Sequence, residues 1–463
     1  MARFSQYAIA LTVVFLPGFL RAQQHDSRDP LSVPVLTDLD SVAVAEEPLP
    51  DSHDDRAYEF FDAMIGAWDR FDIDGHVRVR HETDYDRINR PTRNRERLRA
   101  RLGLTYTWND EIKAGVRWTT GDRKIVLEPD DRSGSPLSYQ DAGDVFDKFE
   151  FNLDRIFITY TPCWAPELFV TLGKFRPTWK LNPIFSSPVG DLVWDEAAQP
   201  EGVALAFTRE DFLGLDKFFA TAGESAVLEL GNQSDATLFF MQLWGEKQLT
   251  TRWKGASGIT WYSWNNLNPD GNTRISTENN AGNSVTQVGV DTTQIGVTSP
   301  GGTPVIDGSP LYAFDSGFNI LNPMIVLTYD DEDECSGLPP FQFVYEAFYN
   351  TESFDPDRAF GYSVGFQYGP AVARRDRRRF DWKFYYSWNE VEQESVLTPV
   401  AQDDFQLATN FRGHWLGLDV FPWDDVELRF WLISAQPIIP ITVGGVTSDQ
   451  TQWRFRADLT AYF

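Results

Sequence analysis

From Phe71 onward the chain alternates apolar and polar residues at every second position. Phe71, Ile73, Val77 and Val79 are set against Asp72, Asp74, His76, Arg78 and Arg80. The period returns in Leu98, Ala100, Leu102, Leu104, Tyr106 and Trp108, opposite Arg97, Arg99, Arg101, Gly103, Thr105 and Thr107. After only Asn109-Asp110, Ile112, Ala114, Val116 and Trp118 alternate with Lys113, Gly115, Arg117 and Thr119. A polar pair between alternating runs predicts a tight hairpin. Late in the chain Phe380, Trp382, Phe384, Tyr386 and Trp388 face Asp381, Lys383, Tyr385 and Ser387, and Trp453, Phe455, Ala457, Leu459, Ala461 and Phe463 face Arg454, Arg456, Asp458, Thr460 and Tyr462. A period of two puts one apolar and one polar face on each strand.

Sixteen such segments can be drawn, near 71–82, 97–108, 111–120, 149–161, 168–176, 202–208, 214–223, 236–245, 249–262, 320–329, 341–350, 361–369, 380–389, 410–420, 426–435 and 452–463. Many are about ten residues long, enough for a tilted strand to cross a bilayer. Connections after odd strands are mostly long (121–148, 177–201 and the Gly/Asn/Ser/Thr-rich 263–319). Those after even strands are mostly short (109–110, 209–213, 246–248 and 421–425). The fold expected is all-β: a transmembrane antiparallel up-and-down β-barrel of about sixteen strands, with long extracellular loops and short periplasmic turns. In lipid every backbone polar group must be paired internally, so strands span only as a closed barrel. The last strand closes on Phe463 in register with the apolar row, an arrangement similar to the aromatic signal read by outer-membrane barrel-assembly machinery.

The segment before the barrel divides in two. Arg3, an apolar run Ala8–Leu20 and the small Ala22 have the layout of a signal peptide over 1–22. Residues 23–70 form an acidic linker, with a short amphipathic helix expected over 57–70, and the barrel domain is 71–463. The linker holds 12 acidic and 3 basic side chains. The whole chain carries −27, which argues against nucleic acid as a partner. Cys163 and Cys335, the only two cysteines, fall in turns on one side of the drawn topology and are not expected to bridge.

A bore closed by about sixteen strands is too wide for side chains to fill. The inward rows therefore carry the chemistry. Arg78 and Arg80, then Arg97, Arg99 and Arg101, then Lys113 and Arg117 lie on three neighbouring strands, and closure adds Arg454 and Arg456. These predict one basic wall facing water, able to order and bind passing anions. The alternative is a set of ion pairs with Asp72, Asp74, Glu82 and Asp458 that only supports the wall. Connection 177–201 carries Asp191, Asp195, Glu196 and Glu201 among Trp179, Phe185 and Trp194. Folded inward, it would set acids against the basic wall and create a transverse field across a constriction.

Arg97-Leu-Arg-Ala-Arg-Leu-Gly-Leu104, Thr171-Leu-Gly-Lys-Phe-Arg-Pro177, and Leu192-Val-Trp-Asp195 followed by Pro200-Glu-Gly202 resemble the bacterial outer-membrane "putative porin" family and, more loosely, the phosphate- and polyphosphate-selective porins. The resemblance spans roughly 71–463. It implies a passive diffusion channel for small hydrophilic solutes or ions in the outer membrane of a Gram-negative-type envelope, often a homotrimer, with no cofactor and no metal. It also places Lys174 and Arg176 on the strand entering the constriction loop. The acidic total departs from an anion-selective member.

Other classes fit less well. The five histidines, His25, His53, His76, His81 and His414, form no His-x-x-x-Ser arrangement, and no Gly-x-Ser-x-Gly occurs. No enzymatic activity is expected; a barrel phospholipase is the enzyme to keep in view. A plugged, structural outer-membrane barrel is the other alternative. A TonB-type transporter would need a far larger plug before Phe71. A secreted β-sandwich lectin or glycosidase would have to be soluble without detergent.

Overall fold

The computed structural model describes residues 70–121, 140–142, 151–179, 192–195, 198–228, 235–268, 282–291, 295–296, 305–306, 309–330, 338–372, 378–402, 404–443 and 445–463. The expected signal peptide, the linker to residue 69 and its helix, together with Phe185, Asp191, Glu196 and Cys335, lie outside the described residues.

Sixteen strands run antiparallel around one sheet: β1 Phe71–Tyr85, β2 Arg93–Thr107, β3 Ile112–Thr120, β4 Phe151–Tyr160, β5 Leu168–Lys174, β6 Glu201–Phe212, β7 Leu215–Leu228, β8 Ala236–Gln248, β9 Trp253–Asn265, β10 Phe318–Tyr329, β11 Phe341–Asn350, β12 Phe360–Tyr368, β13 Trp382–Val391, β14 Phe411–Trp423, β15 Val426–Pro437 and β16 Gln452–Tyr462. Each pairs with the next, and a short strand at Gln140–Ala142 extends the sheet beside β2. The sheet closes on itself, because β16 pairs with β1 from Tyr462↔His76 to Trp453↔Tyr85. Gly75 N–H donates to the Phe463 carbonyl at 2.9 Å, and Phe463 N–H donates back to Gly75 at 3.1 Å. Closure leaves no unpaired edge.

The sequence alternation becomes an inside and an outside. On β1, Ile73, Val77 and Val79 are 52%, 47% and 43% exposed, while Arg78 and Arg80 between and beside them are 7% and 3% exposed. The same reversal holds on β8, where Met241 and Leu243 are exposed and Phe240, Gln242 and Trp244 are buried. A water-soluble barrel would invert this arrangement. Apolar rows left open all round the wall match a hydrocarbon surrounding. Among the described residues no helix is long and apolar enough to cross a membrane; the crossing elements are strands.

Two irregularities matter for the bore. At β3–β4 the ladder slips, so Arg117 pairs with Arg155 while the next residue, Trp118, pairs with Leu153. Asp154 is the extra residue of this β-bulge. On β14, a Cβ at Gly417 would fall inside the Tyr385 ring across the β13–β14 ladder. Glycine there lets the inward tyrosine lie flat on the wall.

Candidate functional site

The inward rows of β16, β1 and β2 interlock by register. Glu82 stands between Arg456 on β16 and Arg95 on β2, and Asp84 between Arg454 and Arg93. Each acid bonds both neighbours. Arg456 Nε donates to Glu82 at 2.5 Å and Arg95 pairs with the same carboxylate. Arg454 Nε reaches Asp84 at 2.7 Å, and Arg93 Nη2 reaches it at 3.1 Å. One step further Arg80 forms two 2.8 Å bonds with Asp458, and Arg78 Nε donates to Thr460 at 2.8 Å. Towards the middle of β1 the pattern changes. Arg80 faces Arg97, Arg78 faces Arg99, and His76 faces Arg101. Like charges directly opposite on a sheet face are destabilising. They are tolerable where water or anions can enter between them.

Arg78, Arg80, Arg97, Arg99, Arg101, Arg454 and Arg456 are therefore all inward and brought together. Lys113 is on the same face at the short-turn end and is exposed. Arg117 is paired with Asp154, its Nε donating at 2.6 Å. Arg155 Nε donates to Gln199 at 2.7 Å, tying the β5–β6 connection to the wall.

The described parts of that connection, 175–179, 192–195 and 198–200, fold into the bore. Leu192, Val193, Trp194 and Trp179 are buried against inward aromatics of β8 and β9. Trp194 stacks on Tyr262 and Trp264 with centroids 6.2 and 6.0 Å apart, and Trp179 lies 4.4 Å from Phe240 and edge-on to Trp194 at 4.8 Å. Leu192 N–H donates to Glu346 on β11 at 3.3 Å. Among the described residues Asp195 is the expected acid of this loop that is placed in the inward-folded connection. Lys174 and Glu201, expected there too, are not. They pair across β5–β6 at 3.7 Å on the outward row that carries exposed Leu172 and Val203, and Arg176 beyond the strand end is exposed. The inward position between Lys174 and Arg176 belongs to buried Phe175.

A second inward connection had no counterpart in the sequence reading. Residues 392–402 and 404–410, between β13 and β14, bury Val396, Leu397, Ala401, Phe405 and Ala408. Asn283 clasps this segment, donating to the Gln393 and Val396 carbonyls at 2.8 Å and accepting from Thr398 N–H at 2.9 Å. Its outer acids feel burial. Glu394 accepts Ser284 N–H at 2.7 Å and Glu392 accepts Phe360 N–H at 2.8 Å. Burial nonetheless pushes both carboxyls above their ordinary range. The signal available in the sequence was compositional: a long connection with Val396, Leu397, Val400, Phe405 and Leu407 is too apolar for a solvated loop.

A further ion network was also missed. Asp419 on β14 takes Lys383 at 3.3 Å and Arg429 at 3.0 Å, Arg429 also holds Glu427 at 2.6 Å, and Tyr462 donates to Glu427 at 2.5 Å. Every member lies on an inward row, so the alternation itself could have found it. Among the described residues no group of His, Cys, Asp or Glu could hold a metal ion. Cys163 is an exposed free thiol in the β4–β5 turn.

A family model described as "Putative porin" matches residues 65–305. The structure of Pseudomonas putida OprB at high pH is similar with a TM-score of 0.50 and 12% identity, over 88% of this chain and 97% of that one. A mutant porin of Rh. blastica aligns at TM-score 0.42 and 9% identity over 85% of this chain and 100% of the other. The outer membrane protein OmpT of Vibrio cholerae aligns at TM-score 0.40 and 10% identity, over 85% and 97%. Comparison with curated proteins found no match.

Proposed function

The chain belongs to the "Putative porin" family and is an outer-membrane porin-type channel; on that premise we propose that it passes small hydrophilic solutes and ions by passive diffusion, without enzymatic turnover, and that its basic wall favours anions. In this reading the chain is exported through its signal segment and inserted by recognition of the Phe463 strand, and homotrimers are the expected assembly.

One observation carries the selectivity. At mid-height of β1–β2, guanidiniums face guanidiniums, Arg80 across from Arg97 and Arg78 across from Arg99, with Asp458 in register on the other side of Arg80 and Asp141 on the other side of Arg97, while Glu82 and Asp84 lie at the neighbouring positions towards the long-loop end. On β16, β1 and β2 arginines thus outnumber the acids of the same strands at both levels. A basic wall beside a water-filled passage concentrates anions locally. Most of the acidic total belongs to the barrel segment, since residues 23–70 carry 12 acids against 3 bases; the selectivity reading therefore rests on the local excess of arginine on this wall and not on net charge.

The test is the reversal potential in a salt gradient. It is expected to lean towards anions, and replacing Arg97, Arg99 and Arg101 together with Ala should move it towards cations. A wild-type potential on the cation side would assign selectivity to the acidic loops instead. A plugged structural barrel is the second reading, and the two inward connections are the observation that favours it.

A further inference from the structure

The two inward connections are bonded to each other. Asp195 N–H donates to the Val400 carbonyl at 2.7 Å, and Gln402 N–H donates to the Leu192 carbonyl at 3.3 Å. Each connection is then anchored to a different part of the wall. Residues 192–195 rest on β8 and β9 through Trp194 and on β11 through Glu346. At the other end Asp404 pairs with Arg456, its carbonyl accepts Arg454 Nη1 at 2.8 Å, and Phe405 packs 4.4 Å from Phe411 and 5.3 Å from Trp415. A continuous line of contacts therefore runs from the β14–β16 wall through 404–400 and 195–192 to the β8–β11 wall.

We propose that these connections form one strap across the bore, and that Asp404 is the residue that positions it and sets the charge of the passage beside it. This rests on the porin reading above. Asp404 performs both tasks because of where its carboxylate lies. Arg456 already bonds Glu82, and Arg454 already bonds Asp84. Asp404 is therefore the acid that the strap, rather than a strand, adds to the basic wall. With the carboxylate gone, Phe405 still has its aromatic pocket, but the strap loses its charged anchor and the wall gains one net positive charge. Among the described residues the other acids of the strap are Asp195, Glu392 and Glu394, and Asp404 is the one of these that is ion-paired with the basic wall. Beside the basic wall the charge of the passage is therefore set by Asp404 and the guanidiniums it faces.

The experiment compares wild-type protein and Asp404→Asn in planar bilayers, by single-channel conductance and by reversal potential in a KCl gradient. Breaking one partner of a buried pair shifts a local equilibrium by about ten-fold or more. The variant should accordingly show open-channel substates of higher conductance and a reversal potential displaced towards anions. A cysteine pair, Asp195→Cys with Val400→Cys in a Cys163→Ser, Cys335→Ser background, should oxidise readily in the folded barrel. In combination with Asp404→Asn the disulfide should return conductance to the wild-type level, and the anion shift should persist when measured against the same cysteine pair with Asp404 intact. Three results would overturn the proposal: Asp404→Asn indistinguishable from wild type in both readouts, a cysteine pair that does not oxidise in the folded protein, or a disulfide that leaves the high-conductance substates unchanged. A wild-type barrel that does not conduct would count against the porin reading, whereas oxidation of the cysteine pair still reports on the strap.

Discussion

Replacing Val79 with Arg separates a lipid-embedded barrel from a water-soluble one more sharply than any truncation. Val79 lies between Arg78 and Arg80 in sequence, yet it is 43% exposed where they are 7% and 3%. It sits near the middle of β1, with the apolar residues Leu98 and Leu459 opposite it on β2 and β16. If the outer wall faced water, an arginine there would be an ordinary surface change, within about 0.5 kcal/mol of wild type. If it faces hydrocarbon near the bilayer midplane, the cost is about 2–4 kcal/mol, falling to about 0–1 kcal/mol at the interfaces. The position in the strand argues for the upper part of that range. Urea unfolding of the barrel refolded into phospholipid vesicles measures the difference, with the m-value confirming that the same surface unfolds. Val79→Leu controls for side-chain shape and should stay within about 1 kcal/mol. An arginine variant as stable as wild type, at an unchanged m-value, would refute the assignment of inside and outside.

The ion network and the outer acids of the strap give two more outcomes. Glu82→Gln leaves Arg456, Arg454 and Arg95 around a neutral amide and should destabilise by about 3 kcal/mol, the low end for a broken buried pair because the bore admits water; retention of the wild-type urea midpoint would show that the network only decorates the wall. The raised carboxyls of Glu392 and Glu394 favour the protonated form in the packed segment. Packing is therefore fully supported below the ordinary glutamate range, about 4.3, and weakens as pH climbs through the raised values. Hydrogen-exchange protection of 392–402, corrected for intrinsic rate, should fall from acidic to neutral pH, and Glu394→Gln should flatten the trend; protection that rises with pH would contradict it.

The alternation was enough to place the strands because most present an apolar row outward, and a slip of one residue would turn that row inward; β8, β9 and β10 were less clean because they also turn aromatic and aliphatic residues such as Phe240, Tyr262 and Phe318 inward. The boundaries drawn near 97–108 and 202–208 fell short of β2 at Arg93–Thr107 and β6 at Glu201–Phe212, because strands continue past the apolar belt into polar residues. Arg78, Arg80, Arg97, Arg99 and Arg101 were legible for the same reason. What period two cannot show is where it stops applying. The bulge at Asp154 brings an extra acid into the ladder beside Arg117. Lys174 ends its strand on the outward row and the chain leaves the sheet after it, so Lys174 and Arg176, read as constriction residues, stand outside while Phe175 points in. The strap was hidden because its partners are far apart in sequence: Asp404 meets Arg456 and Val400 meets Asp195 only once the barrel closes.

The most direct test of the central claim is single-channel recording of the refolded, heat-modifiable protein in a planar bilayer. Steady open steps, with a conductance that scales with salt, are the predicted result. A correctly folded barrel that gave no steps at any voltage would contradict it and leave a bore sealed by its own inward segments.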